Sequence, residues 1–228
     1  MNDKEIVLID KQAGWTSFDV VAKIRGMIRA QYKAKGEKPT KRQLKVGHTG
    51  TLDPFATGLV IILLGDACSR SDEFLKLDKV YEATIKLGET SSTGDTEGDI
   101  TSVSDKQPSI EEVTQAVEQF VGSISQIPPM HSAIKINGQR AYKLARAGKT
   151  VEMPTRTVTV YSLDILDYTY PILKIRTHVS SGTYIRTLAQ DIGEALRVGA
   201  YCQELRRTKI GDYSIDNAKT IQDLKIDK

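Results

Sequence analysis

The chain of 228 residues has few of the residues that build metal sites or disulfide scaffolds. Its two cysteines, Cys68 and Cys202, lie far apart in the sequence and form no C-x-x-C pair. Its three histidines, His48, His131 and His178, show no spacing typical of metal ligands. This usage argues against a zinc site and a disulfide framework, and it favours a reducing compartment. No metal is predicted.

Long apolar runs are missing as well. The longest, residues 59–64, is far too short to cross a bilayer. Asp3, Lys4 and Glu5 place charges where a signal peptide needs its apolar stretch. We therefore expect a cytoplasmic protein that does not enter a membrane.

Motifs for nucleotides and calcium fail at defined positions. Residues 148–150 resemble the end of a P-loop, but the first glycine of that motif would fall on Lys143. Asp95, Glu97 and Asp99 begin like a calcium loop, yet the final glutamate would fall on Lys106. No cofactor is predicted.

Positive charge is concentrated in two segments, although the formal charge of the chain is only +3. Each segment has a net charge of +5, which suits phosphate groups, whereas the alternative is a pair of solvated faces. The cations of residues 33–45 are Lys33, Lys35, Lys38, Lys41, Arg42 and Lys45, with Glu37 as the only acid, and those of residues 135–149 are Lys135, Arg140, Lys143, Arg146 and Lys149.

Hydrophobic periodicity predicts interspersed strands and helices without strict βαβ units, so the fold class is mixed α+β. Helices are predicted from a cap at Ser17 or Asp19, over residues 66–77, after the capping box of Ser109 and Glu112, and near residues 185–192. Residues 33–45 and 88–98 are predicted as loops, the second long and exposed. Strands are predicted over residues 5–10, 58–64, 80–87, 157–166 and 172–179.

One segment has the features of a catalytic loop. Residues 47–58 read GHTGTLDPFATG and lead directly into the apolar run. Three glycines permit unusual backbone conformations, and Pro54 biases Asp53 towards an extended backbone. Asp53 is therefore a candidate nucleophile or base on a stiff loop, and the alternative is an Asx turn in which it bonds its own backbone.

The segment GHTGTLDPFATGLV resembles the signature of the TruB-type tRNA pseudouridine synthases. Five further elements are similar to motifs of that family and occur in the same order. They are residues 11–17 (KQAGWTS), 78–81 with 87–88 and 93–95, 126–129 with 132–135 and 145–148, 181–188 (SGTYIRTL), and 205–207 (LRR).

The resemblance implies roles for individual residues. Asp53 is the catalytic aspartate, Arg186 pairs with it, and Tyr81 stacks on the target base and assists proton transfer. The implied substrate-binding residues are His48, Tyr184, Leu205 and Lys79, and the implied RNA-binding residues, on a mobile thumb, are Lys135, Arg140, Lys143 and Arg146.

The resemblance also implies a largely antiparallel mixed sheet of the pseudouridine synthase fold, with flanking helices. We expect one catalytic domain over residues 1–228, a thumb-like insertion at about 124–153, and no C-terminal PUA-type domain. The implied activity is isomerisation of uridine to pseudouridine at position 55 in the T-loop of tRNA. The partner is then the T-arm of tRNA, the working expectation is a monomer, and neither cofactor nor metal is needed.

Three questions stay open at the level of sequence. Asp53 attacks the ribose, attacks the base, or abstracts the proton from C2′. An RNA-guided pseudouridine synthase subunit acting on ribosomal RNA and an RNA-binding or tRNA-folding module are alternative functions. A glycosidase would require a second carboxylate paired with Asp53, and no motif supplies one.

Overall fold

The structure is a computed structural model and describes residues 6–132, 134–136, 138–148 and 151–224. Its α-helices are α1 (Ser17–Ala34), α2 (Ser71–Leu75), α3 (Ile110–Glu118), α4 (Ala141–Arg146) and α5 (Ile185–Ala195), and Gly65–Arg70 and Ile215–Asn217 are 3₁₀ helices. Its strands are β1 (Ile6–Lys11), β2 (Val46–His48), β3 (Thr57–Leu64), β4 (Lys79–Leu87), β5 (Glu89–Ser91), β6 (Ile100–Ser102), β7 (Gly122–Gln126), β8 (Lys135–Ile136), β9 (Gln139–Arg140), β10 (Arg156–Thr169), β11 (Ile172–Val179), β12 (Ala200–Ile210), β13 (Tyr213–Ser214) and β14 (Lys219–Thr220).

The chain divides into two compact units. The first contains residues up to 79 and from 206 onwards, and the second contains residues 80–205. Strand β12 begins in the second unit and ends in the first. Among the described residues, no helix has the length and apolar character needed to cross a bilayer.

The sheet of the first unit is built around β3. Its strand order is β14-β1-β3-β12, with β1 antiparallel to β3, whereas β14 and the end of β12 pair in parallel with their neighbours. Every residue of β3 from Gly58 to Leu64 is buried, which explains why this strand reads as a continuous apolar run. Leu59, Ile61 and Leu63 pack with Phe74 and Ile210 in one core cluster.

A capping box starts α1. The side chain of Thr16 accepts a hydrogen bond from the Asp19 N–H at 3.0 Å, and the Asp19 carboxylate accepts one from the Thr16 N–H at 2.8 Å. The predicted cap at Ser17 or Asp19 was therefore wrong, because Thr16 is the N-cap and Asp19 is its reciprocal partner. Ser17 is buried and is used elsewhere.

In the second unit the strand order is β12-β4-β11-β10-β7. Strands β10 and β11 form a long antiparallel hairpin with two register shifts, and β7 pairs antiparallel with β10. Helices α3 and α5 belong to this unit, and Val117 on α3 and Leu188 and Ile192 on α5 lie in the core. The capping box predicted at Ser109 is confirmed.

The predicted fold class, mixed α+β with a largely antiparallel sheet, is confirmed. The prediction of a long exposed loop at 88–98 was wrong, because β5 pairs with β6 there and Ser91 and Asp95 are buried. The helix predicted over residues 66–77 is a 3₁₀ helix followed by the short α2. Strand β12 was not predicted.

Candidate active site

Asp53 lies on the loop of residues 49–56, between β2 and β3 of the first unit. The residue is half-buried, and its carbonyl accepts the Ala56 N–H at 3.2 Å, which closes a tight turn around Pro54. At the start of the loop, the Thr49 N–H bonds to the Ile61 carbonyl at 3.0 Å. The carboxylate therefore stands on a turn joined at both ends to a buried strand.

The buried side chain of Lys11 holds this turn through hydrogen bonds to its backbone. It is 1% exposed, and its ammonium donates to the carbonyls of Pro54 at 3.3 Å and Ala56 at 2.5 Å. It also donates to the carbonyls of Gln12 at 3.0 Å and Trp15 at 2.7 Å. Hydrogen bonds from a charged donor are stronger than neutral ones, so Lys11 ties the residues after Asp53 to the end of β1.

Gly14 and Ser17 hold the same loop. The Gly14 N–H donates to the Pro54 carbonyl at 2.8 Å. The Ser17 hydroxyl accepts the Leu52 N–H at 2.8 Å and lies 3.3 Å from the Leu52 carbonyl. The family-like element of residues 11–17 thus supports the loop directly, because three of its residues form hydrogen bonds with residues adjacent to or near Asp53.

Arg207 on β12 also holds the loop, and the sequence did not predict it as a site residue. Its side chain is 1% exposed, and Nε donates to the Leu59 carbonyl at 2.7 Å. Its terminal nitrogens donate to the carbonyls of Thr51 at 3.4 Å and Gly50 at 3.3 Å. The only signal in the sequence is the Leu-Arg-Arg element itself, since nothing local shows that one of its arginines points inward.

Gly58 is required where β3 meets β12. Its φ is +108°, and a Cβ atom at this position would lie 2.3 Å from the carbonyl oxygen of Arg207. No side chain fits at that distance, so the backbones of Gly58 and Arg207 can approach each other only because residue 58 is glycine. This close approach brings the Arg207 side chain to the loop.

The charge of Arg207 also affects two predicted substrate-binding residues. Burial lowers the pKa of His48, and the positive charge of Arg207 lowers it further, against a smaller opposing effect of a hydrogen bond with the Gly50 backbone. Burial, again with Arg207, lowers the pKa of Lys79 to about 8, against an opposing effect of Asp78. The Lys79 ammonium donates to the carbonyls of Leu75, at 2.8 Å, and Leu77, so it binds the end of α2.

In the second unit, Arg186 lies in the first turn of α5 and is 3% exposed. One terminal nitrogen forms an ion pair with Asp95 at 3.0 Å and donates to the Thr93 carbonyl at 2.9 Å. The other donates to the His131 carbonyl at 2.9 Å. The guanidinium is therefore held in one orientation by three partners from two segments.

Asp95 is itself held in place by hydrogen bonds within its own backbone turn. The residue is buried, and Oδ1 accepts the Thr93 hydroxyl at 2.5 Å and the Glu97 N–H at 2.9 Å. The Cys202 N–H bonds to the Gly94 carbonyl at 3.0 Å, which attaches this turn to β12. Asp95 lies in the segment whose calcium-loop pattern failed, and the sequence pattern did not reveal its part in the site.

Gln126 positions the N-terminus of α5. It is buried at the end of β7, and its amide both accepts the Tyr184 N–H at 3.0 Å and donates to the Tyr184 carbonyl at 3.2 Å. Tyr184 is the N-cap residue of α5 and is half-buried. The predicted base-pocket residue and Arg186 are thus held together at the start of one helix.

Tyr81 and Leu205 lie on the neighbouring strands β4 and β12. Tyr81 is 8% exposed and belongs to the buried face of β4, whose residues alternate in exposure along the strand. Leu205 is 6% exposed. Their predicted roles beside the target base stay predictions.

Of the predicted thumb, the structure describes the hairpin of β8 and β9 and the helix α4. Arg140 and Lys143 are exposed there. Lys135 and Arg146 are also predicted RNA-binding residues, but their side chains lie outside the described part of the structure, as does the whole of Lys149. The assignment of this insertion to RNA binding stays a prediction.

The structure thus places His48, Asp53, Lys79 and Arg207 in the first unit, and Arg186, Tyr184 and Asp95 in the second. The predicted pair of Asp53 and Arg186 joins residues of different units and stays a prediction. In the part of the chain that is described, no group of three or more His, Cys, Asp or Glu side chains is arranged to hold a metal ion.

Comparisons with known proteins show the family of this chain. The model of the TruB family pseudouridylate synthase N-terminal domain matches residues 37–185, and that of the tRNA pseudouridylate synthase B C-terminal domain matches residues 186–227. The tRNA pseudouridine synthase B of Dechloromonas aromatica is 45% identical over 220 residues, which are 96% of this chain and 69% of that protein. The protein of the same name from Parabacteroides distasonis is 45% identical over 213 residues, covering 93% of this chain and 88% of the relative.

Solved structures support the fold. The structure of a Cbf5-Nop10-Gar1 complex contains a chain that matches with a TM-score of 0.72 and 28% identity, over 97% of this chain and 54% of that one. An H/ACA ribonucleoprotein bound to a substrate RNA gives a TM-score of 0.68 and 27% identity, over 96% and 51%. This chain therefore spans about half the length of these structural relatives. Its matches to both family models, together with relatives at 45% identity, show that it belongs to the TruB family of pseudouridine synthases.

Proposed function

We propose that this chain isomerises a uridine of tRNA to pseudouridine, at position 55 in the T-loop. The observation that carries the proposal is the support of the Asp53 loop by Lys11, Ser17 and Arg207 in a member of this family. Relatives named tRNA pseudouridine synthase B, at 41–45% identity, support tRNA as the substrate.

The reaction is an isomerisation, so every atom of the uracil is retained apart from exchange of a proton. The N1–C1′ glycosidic bond breaks, the uracil turns, and a C5–C1′ bond forms in its place. The proton on C5 is then lost, and N1 takes up a proton. No oxidant, reductant or co-substrate is needed, so a carboxylate with a well-defined position is the main group that the protein must provide.

The target uridine is first turned out of the folded RNA, which costs roughly a few kcal/mol. Stacking of the base on Tyr81 recovers about 1–3 kcal/mol. Asp53 then acts in a water-poor pocket, where an isolated carboxylate would tend to take up a proton. Pairing with the guanidinium of Arg186 keeps the carboxylate ionised and orients its oxygens.

The remaining predicted residues bind the RNA around this centre. His48 ends β2, which directly follows the basic segment of residues 33–45. In this proposal its imidazole packs against the nucleotides beside the flipped base, while Tyr184 and Leu205 line the base pocket. The exposed Arg140 and Lys143 of the thumb contact phosphates of the T-arm.

The test uses an unmodified tRNA transcript carrying tritium at C5 of uridine. We expect the chain, without metal or guide RNA, to release tritium and to leave pseudouridine at position 55, as mapped by primer extension after treatment of the RNA with carbodiimide. The Asp53→Asn variant should bind the transcript and release no tritium. Modification at another position, or turnover by Asp53→Asn, would contradict the proposal.

The likeness to the Cbf5 complexes favours one second candidate, an enzyme that works within a ribonucleoprotein and depends on a guide RNA. The identity of 28% to that chain, against 45% to tRNA pseudouridine synthase B proteins, makes it the weaker candidate. Tritium release from free tRNA by the isolated chain discriminates the two, because a guide-dependent enzyme is inactive without its guide and partners.

A further inference from the structure

Helix α1 and the segment that follows it carry a far higher net positive charge than the rest of the chain. Residues 25–45 contain eight arginines and lysines against Glu37 alone, a net charge of +7. Since the whole chain has a net charge of +3, the other 207 residues together carry −4. The net positive charge of the protein therefore arises from these 21 residues. The positive electrostatic potential that they produce is concentrated on one part of the molecule.

Several of these cations line one surface of the first unit. Arg25, Arg29 and Lys33 are spaced four residues apart, so they follow one side of α1. The guanidinium of Arg25 donates to the carbonyls of Leu44 and Val46, both at 3.1 Å. The end of the basic segment is thereby fastened to the side of α1 on which Arg29 and Lys33 lie.

Most of the charges on this surface are presented to solvent. Six of the cations are exposed and together form what we call the basic surface: Arg29, Lys33, Lys35, Lys38, Lys41 and Lys45. Arg42 is also exposed but forms an ion pair with Asp66, so part of its charge is offset within the protein.

The composition of the surface favours a phosphate backbone over a protein partner. Protein interfaces depend on a few large apolar or aromatic side chains, and residues 25–45, all of which the structure describes, contribute none of the large hydrophobic side chains that are exposed. Separate lysines on a helix and a loop suit the regularly spaced charges of a nucleic acid, whose binding releases counterions. The surface runs into β2, which leads to His48 and the Asp53 loop.

We propose that the basic surface binds phosphates of the tRNA that lie outside the T-arm, as a second binding site beside the one that holds the target loop. This inference rests on the proposed function, because it takes tRNA as the substrate. The site supplies affinity and leaves the choice of uridine to the pocket, since phosphate contacts carry no sequence information.

The experiment compares a complete tRNA transcript with an isolated T-arm stem-loop. The test variant replaces Lys33, Lys35, Lys38 and Lys41 by glutamine, and the control variant replaces four other exposed lysines, Lys76, Lys174, Lys209 and Lys219, by glutamine. Both variants lose four charges, so only the place of the charges differs. Dissociation constants are measured by filter binding between about 50 and 200 mM salt.

For the test variant, we expect the affinity for complete tRNA to fall about tenfold or more, with a shallower dependence on salt, while the stem-loop affinity changes about as little as in the control. Equal losses for the two RNAs, or equal losses in the two variants, would overturn the inference. Tritium release by the unsubstituted chain from the same two RNAs reports separately on the proposed function. Turnover combined with unchanged tRNA affinity therefore refutes the basic surface alone, whereas lack of turnover on both RNAs refutes the proposed function.

Discussion

Arg186 and Asp95 form an ion pair at 3.0 Å in which both side chains are almost completely shielded from solvent, at 4% and 3% exposure. The partners are 91 residues apart in the sequence, and each makes further hydrogen bonds to its surroundings. Loss of one partner would leave the other charge buried without that counterion, which is more costly than loss of an exposed pair.

Asp95→Asn should therefore lower the free energy of unfolding by about 3–5 kcal/mol, as measured by urea denaturation. It should also slow turnover more than it weakens tRNA binding, because Arg186 loses the partner that orients it. The control is Glu82→Gln, which removes an exposed ion pair with Arg176 of 2.8 Å. That change should cost less than about 1 kcal/mol, and equal costs in the two variants would contradict the importance of burial.

Gly58→Ala tests the close approach of β3 and β12. A positive φ costs a non-glycine residue about 1–2 kcal/mol, and here the new Cβ would also meet the Arg207 backbone. The matched control is Gly122→Ala, because Gly122 has a φ of +104° and the described residues leave open space where its Cβ would stand. Gly58→Ala should be destabilised by at least about 1 kcal/mol more than the control in urea denaturation, and its turnover should fall because Arg207 moves away from the loop.

Ser17→Ala removes a buried hydroxyl that accepts the Leu52 N–H at 2.8 Å. The unfolding free energy should fall by about 1–3 kcal/mol because that N–H is left without its acceptor. Since the change loosens the loop and touches no RNA in our proposal, kcat should fall with little change in the tRNA dissociation constant. Ser69→Ala, which deletes an exposed hydroxyl bonded to the Asp66 carbonyl at 2.6 Å, should leave both quantities as they are.

The buried Lys79 predicts a specific pH dependence of stability. Its pKa falls from 10.5, the value of an unperturbed lysine, to about 8 in the folded protein. Between these values the unfolded chain binds more protons than the folded protein, so stability rises with pH. The stability that the neutral form of Lys79 contributes is complete above the unfolded pKa. It is lost as the pH falls from there through the folded pKa of about 8.

Relative to Lys79→Met, the unsubstituted chain should therefore become more stable by about 1–3 kcal/mol between pH 7 and pH 10. Urea denaturation at the two pH values measures this difference. Lys76→Met, at an exposed position three residues away, should show no such change relative to the unsubstituted chain. A flat difference for Lys79→Met would mean that the folded protein keeps this lysine protonated.

The sequence predicted the elements whose signals are local. The apolar positions of α1 and α5, the capping box of Ser109, and the unbroken run of β3 all follow from neighbours within one or two turns. The motif elements pointed to Asp53 and Arg186 through a resemblance to a family, because a loop aspartate alone fits an ordinary turn equally well.

The missed features depend on partners far away in the chain. Arg207 bonds Leu59 across 148 residues, and the buried Asp95 forms its ion pair with Arg186, which is 91 residues away in the sequence. Strand β12 escaped prediction because charged residues, Glu204, Arg206, Arg207 and Lys209, conceal its apolar alternation. The pattern of residues along the sequence does not predict that Arg207 is buried or that its guanidinium donates to backbone carbonyls.

The enclosure of Lys11 has a consequence for how the protein responds to ionic strength. Its hydrogen bonds to the backbone near Asp53 are short and shielded from solvent, so dissolved ions scarcely weaken them. Contacts between exposed lysines and RNA phosphates, in contrast, are strongly screened. Activity that declines in concentrated salt should therefore be recovered by adding more RNA, since the catalytic apparatus stays assembled and only the capture of substrate is lost.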